Sequence, residues 1–111
     1  MEAVFHLSES DSAYGARALR NIDNLLTDET VSSTVTLVAN GGGVRHLLAS
    51  SETGDTVRDL IERGVEVCAC SNTIAGAEYG RADLVVDVRV VSSGMAELLR
   101  RQDQGYAYIR P

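Results

Sequence analysis

The chain has 111 residues, of which 44% are hydrophobic, and carries 16 acidic against 10 basic side chains for a net charge of −6. That is the length of one domain, 1–111, with apolar material enough for a core without disulfides or metal. All the basic residues are arginines scattered along an acidic chain, and runs such as Leu84-Val85-Val86 are too short to cross a bilayer, so neither nucleic acid nor membrane is an expected partner.

Met1-Glu2-Ala3-Val4 lacks the basic start of a signal peptide, which points to the cytoplasm and to reduced thiols. Ala3-Val4-Phe5-His6-Leu7 reads as a buried strand, followed by a polar turn over residues 8–12. Ala13, Ala16, Leu19, Ile22 and Leu26 recur every three or four positions and give a helix one apolar face. Val35-Thr36-Leu37-Val38-Ala39 is a second strand; after Asn40 and three glycines, Val44, Leu47 and Leu48 mark a short helix. Another helix opens at Thr53-Gly54-Asp55, turns Val57, Leu60 and Ile61 inward, and stops at Gly64.

Val65-Glu66-Val67-Cys68-Ala69 is the third strand, and Ser71-Asn72-Thr73 offers caps for a short helix running to Ala77. Residues 78–83 have no clear assignment. A fourth strand covers residues 88–91, and Ser92-Ser93-Gly94 turns it into a helix with Met95, Leu98 and Leu99 expected on the core side. The chain closes on a strand with Tyr106 and Tyr108 on one face. Strands alternating with helices through short turns predict an α/β, three-layer fold with a central, mostly parallel five-stranded sheet of flavodoxin-like or related order.

Open parallel sheets place their sites at the carboxyl ends of the strands. The turns at that edge contain residues 8–12, Asn40-Gly41-Gly42-Gly43, Cys70-Ser71-Asn72-Thr73 and Ser92-Ser93-Gly94, all small and polar. Backbone amides left free in such turns favour an anion or a polarised sulfur. Cys70 carries the one strongly reactive atom there. A thiolate, or a persulfide whose terminal sulfur is anionic, would be held by those amides, whereas a cysteine packed beneath the turn is the plain alternative.

Cys68, two residues earlier on an apolar strand, reads as core. Alternate strand residues lie roughly 6.5–7 Å apart at Cα, the limit of what a disulfide bridges. A zinc site from Cys68, Cys70, His6 and His46 lacks the paired spacing of structural zinc sites, so no metal is expected. The triple glycine lacks the lysine of a phosphate-binding loop, and no GxSxG elbow is present. His6 reads as strand filling. His46 reads as a helix-start residue on a solvated face, though the adjacent triple glycine keeps it a candidate ligand contact.

Val67-Cys68-Ala69-Cys70-Ser71-Asn72-Thr73-Ile74 resembles the A-C-x-N-T/S-L segment of DsrE/DsrF-like proteins. Val90-Val91-Ser92-Ser93-Gly94-Met95-Ala96-Glu97-Leu98 and Gln104-Gly105-Tyr106-Ala107-Tyr108-Ile109-Arg110-Pro111 resemble their V-V-P-S-G-V-A-E-L and Q-x-G-Y/W-A-Y-I-x-P ending. Ser92 stands where that family often has proline, and Cys68 is an addition to its pattern. The resemblance implies a homo-oligomer, commonly a trimer or hexamer, and cysteine-based sulfur transfer, with Cys70 in the position of the sulfur-accepting cysteine. The expected activity is that of a sulfurtransferase-like persulfide carrier working between sulfur donor and acceptor proteins with no cofactor. Ser71, Asn72, Ser93, Gly42 and Gly43 are expected to stabilise the anionic sulfur, and the two tyrosines to lie at an oligomer contact. The rival is a non-enzymatic homo-oligomeric binding module in which Cys70 is incidental.

Overall fold

The structure, a computed structural model, describes all 111 residues. Five strands form one parallel sheet: β1 Glu2–Leu7, β2 Thr34–Ala39, β3 Glu66–Cys70, β4 Arg89–Val91 and β5 Ala107–Ile109. Their spatial order is β4-β3-β2-β1-β5, so the chain steps in one direction through four strands and then crosses back to pair β5 with β1. Right-handed crossovers stepping one way lay their helices on one face, and the single return crossover lays its helix on the other.

That rule accounts for the layers. Helices α1 (Ser12–Thr27), α2 (Gly54–Glu62) and α3 (Ser71–Ala75), with a 3-10 helix at Gly41–Leu47, cover the first face. There Phe5, Leu7, Leu37, Val67 and Ala69 join Leu19, Ile22, Val44, Leu47, Val57 and Leu60 in a cluster of 20 buried residues. Only α4 (Gly94–Asp103) covers the second face, over a cluster of 5 residues: Val4, Val38, Cys68, Val91 and Leu98. The architecture is the three-layer, flavodoxin-like one expected, with every strand pair parallel. No helix is long and apolar enough to cross a membrane.

Local chemistry sets the ends of these elements. Asp11 caps α1 by accepting from the Tyr14 amide at 2.9 Å. Both α2 and α4 end on a left-handed glycine, Gly64 and Gly105, each at φ +97°. After α4 the Tyr106 amide donates back to the Arg101 carbonyl at 3.0 Å and Gly105 donates to Gln102 at 3.0 Å, a Schellman closure that turns the chain directly into β5.

One expectation is corrected and one gap is filled. Met95 and Leu99 are exposed, at 54% and 71%, and the inward face of α4 is instead Leu98 flanked by Glu97 and Arg101. Those two charges are buried because they satisfy each other: Arg101 Nε donates to Glu97 Oε2 at 2.7 Å. The unassigned stretch at residues 78–83 ends in a short 3-10 helix, Arg81–Asp83. It is anchored by the Ala49 amide donating to the Asp83 carbonyl and the Val85 amide donating to the Leu47 carbonyl, partners too remote for a local pattern to show.

Candidate functional site

Cys70 is the last residue of β3 and the cap of α3, so the sheet delivers its side chain to the carboxyl edge. It is 6% exposed, yet it belongs to neither apolar cluster. Its surroundings are polar. Burial pushes the thiol up, but hydrogen bonding from the Gly94 amide, the Thr73 amide and hydroxyl, and the Asn72 amide outweighs that and holds it below the ordinary cysteine value. Cys68, fully buried two residues away, shows the opposite: burial, reinforced by Glu66 and Glu97, pushes its thiol up to about 11. One strand thus presents one thiol pushed up by burial and one held down by polar neighbours.

The donors around Cys70 are themselves held. Thr73 Oγ1 accepts from the Gly41 amide at 2.8 Å, which ties α3 to the turn after β2. Gly94 begins α4, and the cap of that helix is Ser93, whose Oγ accepts from the Ala96 amide at 3.3 Å. A side chain at Gly94 would be crowded. A Cβ there would lie 3.0 Å from Asn40 Cβ and 3.5 Å from Cys70 Cβ. The glycine lets the α4 amide approach the sulfur.

Of the residues expected at the sulfur, Asn72 lies beside it, and its backbone amide contributes to holding the thiol value down. Ser93 makes no bond to the sulfur; it caps α4, the helix that Gly94 opens. Ser71 opens α3 half-buried, without a side-chain hydrogen bond to the site. Gly42 and Gly43 lie in the 3-10 helix, pressed against the backbone of Ser10 and of Leu7 respectively. Thr73 and Gly94, missed as donors, were visible in the sequence as the third helix residue after the cysteine and the glycine opening the last helix.

The structure adds three further residues. His6 is buried on the same sheet face as Cys68 and Cys70, with both ring nitrogens engaged: Nε2 pairs with Asn40 Oδ1 at 2.6 Å and Nδ1 with the Tyr108 hydroxyl at 2.7 Å. The hydroxyl of Tyr108, a residue that stays 41% exposed, thus reaches the His6 ring. His46 lies elsewhere, on the α1 face: its ring packs against Gly15, and Nε2 donates to the Glu9 carbonyl at 2.7 Å.

If the hydroxyl of Thr73 is a principal donor to the sulfur, Thr73→Val raises the pH midpoint of Cys70 alkylation by about half a unit to one unit. Iodoacetamide rates against pH on the Cys68→Ala background measure this for Cys70 alone. An unchanged midpoint assigns the activation to the amides.

A cysteine at the carboxyl edge of a three-layer parallel α/β sheet, its thiol held below the ordinary value, is the site this fold presents. The DsrE/DsrF-like family model matches residues 2–111, and the chain belongs to that family. Membership associates it with sulfur relay at the level of the family. The chain is also similar to a protein of unknown function from Methanobacterium thermoautotrophicum, with 40% identity over 99% of this chain and 98% of that one and a TM-score of 0.93. No curated protein matches it.

Proposed function

We propose that the protein carries sulfur as a persulfide on Cys70, accepting it from one sulfur donor and passing it to another thiol. The observation that carries this reading is the place of Cys70, at the end of β3 and the start of α3 outside both apolar clusters, where Asn72, Thr73 and Gly94 hold its thiol below the ordinary value despite burial. A thiolate is the form that attacks sulfur, and the same donors suit the anionic terminal sulfur of the product. Family membership supports the same chemistry.

Each transfer balances without an oxidant. The Cys70 thiolate attacks the outer sulfur of a donor persulfide; the new S–S bond forms as the donor's S–S bond breaks, and the donor leaves as a thiolate with the electron pair. Delivery is the same exchange in reverse, with an acceptor thiolate attacking the outer sulfur and Cys70 leaving. Slight exposure of Cys70 confines the exchange to small or well-fitted thiols.

Incubation with inorganic polysulfide followed by intact-mass spectrometry tests the proposal. Wild type and Cys68→Ala are expected to gain one sulfur atom that dithiothreitol removes, and Cys70→Ser to gain none. A wild-type protein that gains no sulfur, or an adduct that survives in Cys70→Ser, would overturn the carrier role.

A further inference from the structure

Three polar side chains on the face that α4 covers form a line ending beside Cys70, and the cysteine chemistry above does not use them. They come from three adjacent strands or strand ends: Tyr108 on β5, His6 on β1 and Asn40 just past β2. The register pairs Ala39 with Ala69, so Asn40 and Cys70 are neighbours one step further along the same two strands, with side chains on one face. Their Cβ atoms both lie within 3.5 Å of the point where a Gly94 side chain would begin.

The hydrogen-bond directions follow from the donor inventory. Asn40 Oδ1 can only accept, so His6 Nε2 carries the proton that joins them at 2.6 Å. In the neutral ring Nδ1 is then an acceptor, and the Tyr108 hydroxyl donates to it at 2.7 Å. With Oδ1 tied to His6, the Asn40 amide is oriented, and its Nδ2 makes no hydrogen bond within the chain. A buried histidine with both nitrogens satisfied, fixed between a tyrosine and an asparagine, serves here as a rigid spacer that aims the amide.

We infer that Asn40 contacts the terminal sulfur of the Cys70 persulfide, its Nδ2 donating to that atom, and that His6 and Tyr108 are positioning residues that set the amide. This rests on the carrier reading above and deepens it. Asn72, Thr73 and Gly94 favour the charged form of the Cys70 thiol; the sulfur that arrives lies one S–S bond further out, on the side where Asn40 stands one register step from Cys70. A donor there also spreads the negative charge that would otherwise repel the acceptor thiolate on delivery.

Asn40→Asp is the informative variant, because it keeps an oxygen for His6 and replaces the amide donor with a negative charge. Polysulfide-treated Asn40→Asp is expected to hold about tenfold less persulfide than wild type at equal polysulfide, with the perthiolate ultraviolet band titrating at higher pH. Tyr108→Phe, at a half-exposed position, is expected to lower occupancy about two- to threefold and to shift the perthiolate titration upward, alongside a modest drop in melting temperature from the unpaired His6 nitrogen and an unchanged alkylation midpoint of the resting thiol. A merely structural role would shift melting and leave the perthiolate titration alone. If wild type loads and Asn40→Asp matches it in occupancy and titration, the role of Asn40 is overturned and the carrier reading stands. If wild type takes up no sulfur, both fall.

Discussion

Arg101→Met is expected to destabilise the protein by about 3–5 kcal/mol, which is a large share of the 5–15 kcal/mol that typically holds a domain together. The guanidinium is almost buried between α4 and the sheet, and four of its five N–H donors are used. Besides the Glu97 bond, it donates to Glu66 Oε1 at 2.7 Å, to Thr36 Oγ1 at 3.0 Å and to the Tyr106 hydroxyl at 3.1 Å. Methionine fills much of the same space but leaves the Glu97 carboxylate, 3% exposed, with only Arg100 as a partner. The cost arises mainly from that stranded charge, so Arg101→Met combined with Glu97→Gln is expected to recover part of the loss.

The acid dependence of this effect has a definite sign. Burial pushes the Glu97 carboxyl up, but Arg101 and Arg100 outweigh it and hold the folded-state value below the ordinary range. A carboxyl depressed on folding stabilises the protein at neutral pH, and that contribution is lost as pH falls below the ordinary carboxylate value and through the folded one. Without Arg101 the burial effect has less to oppose it, so protonation of Glu97 relieves the variant. Urea titrations from pH 7 downward should show the gap between wild type and Arg101→Met narrowing in acid. A gap that widens there would mean that Glu97 is not the stranded group. The pair also bears on the site, because it seats α4 on β2 and β3 and so fixes the Gly94 amide at Cys70.

Much of this architecture was legible because the relevant signals are local. Strands buried on both faces read as unbroken apolar runs, and α1 repeats its apolar positions at the helical period. Gly64 falls where a left-handed residue must end α2. The same period misled at α4. Leucine and methionine at helical spacing imply a core face, yet the sheet beneath this helix offers Thr36 and Glu66, and an arginine and a glutamate four residues apart answer them better. Cys70 was legible from its place at a strand end. The line from Tyr108 through His6 to Asn40 was not, because its bonds join residues 102 and 34 positions apart. Side-chain alternation would have put all three on one face with Cys70, but only once β5 was known to pair with β1 and β1 with β2.

Gly43→Ala is the second large effect expected, and it tests how the turn after β2 is built. A Cβ at Gly43 would lie 1.9 Å from the Leu7 carbonyl oxygen, 2.4 Å from its carbon and 2.9 Å from the Ser8 nitrogen. All of these are backbone atoms at the end of β1, so no side chain can swing aside, and strand or turn must move. The same Leu7 carbonyl accepts from the Asn40 amide at 3.1 Å, and the Asn40 carbonyl accepts from the Gly43 amide at 3.0 Å. A methyl group there pries apart the segment that carries Asn40 and, through Gly41, Thr73. The expected loss is about 3 kcal/mol, at the upper end of what overpacking costs, because the clash is with main chain. Gly80→Ala is the control: nothing lies within 4 Å of its Cβ position, and its stability should stay within about 0.5 kcal/mol of wild type. Displacement of Thr73 also predicts that whatever folded Gly43→Ala protein remains alkylates at Cys70 with a higher pH midpoint than wild type. A stable variant with unchanged Cys70 reactivity would mean that β1 and the turn after β2 are not packed backbone to backbone as described.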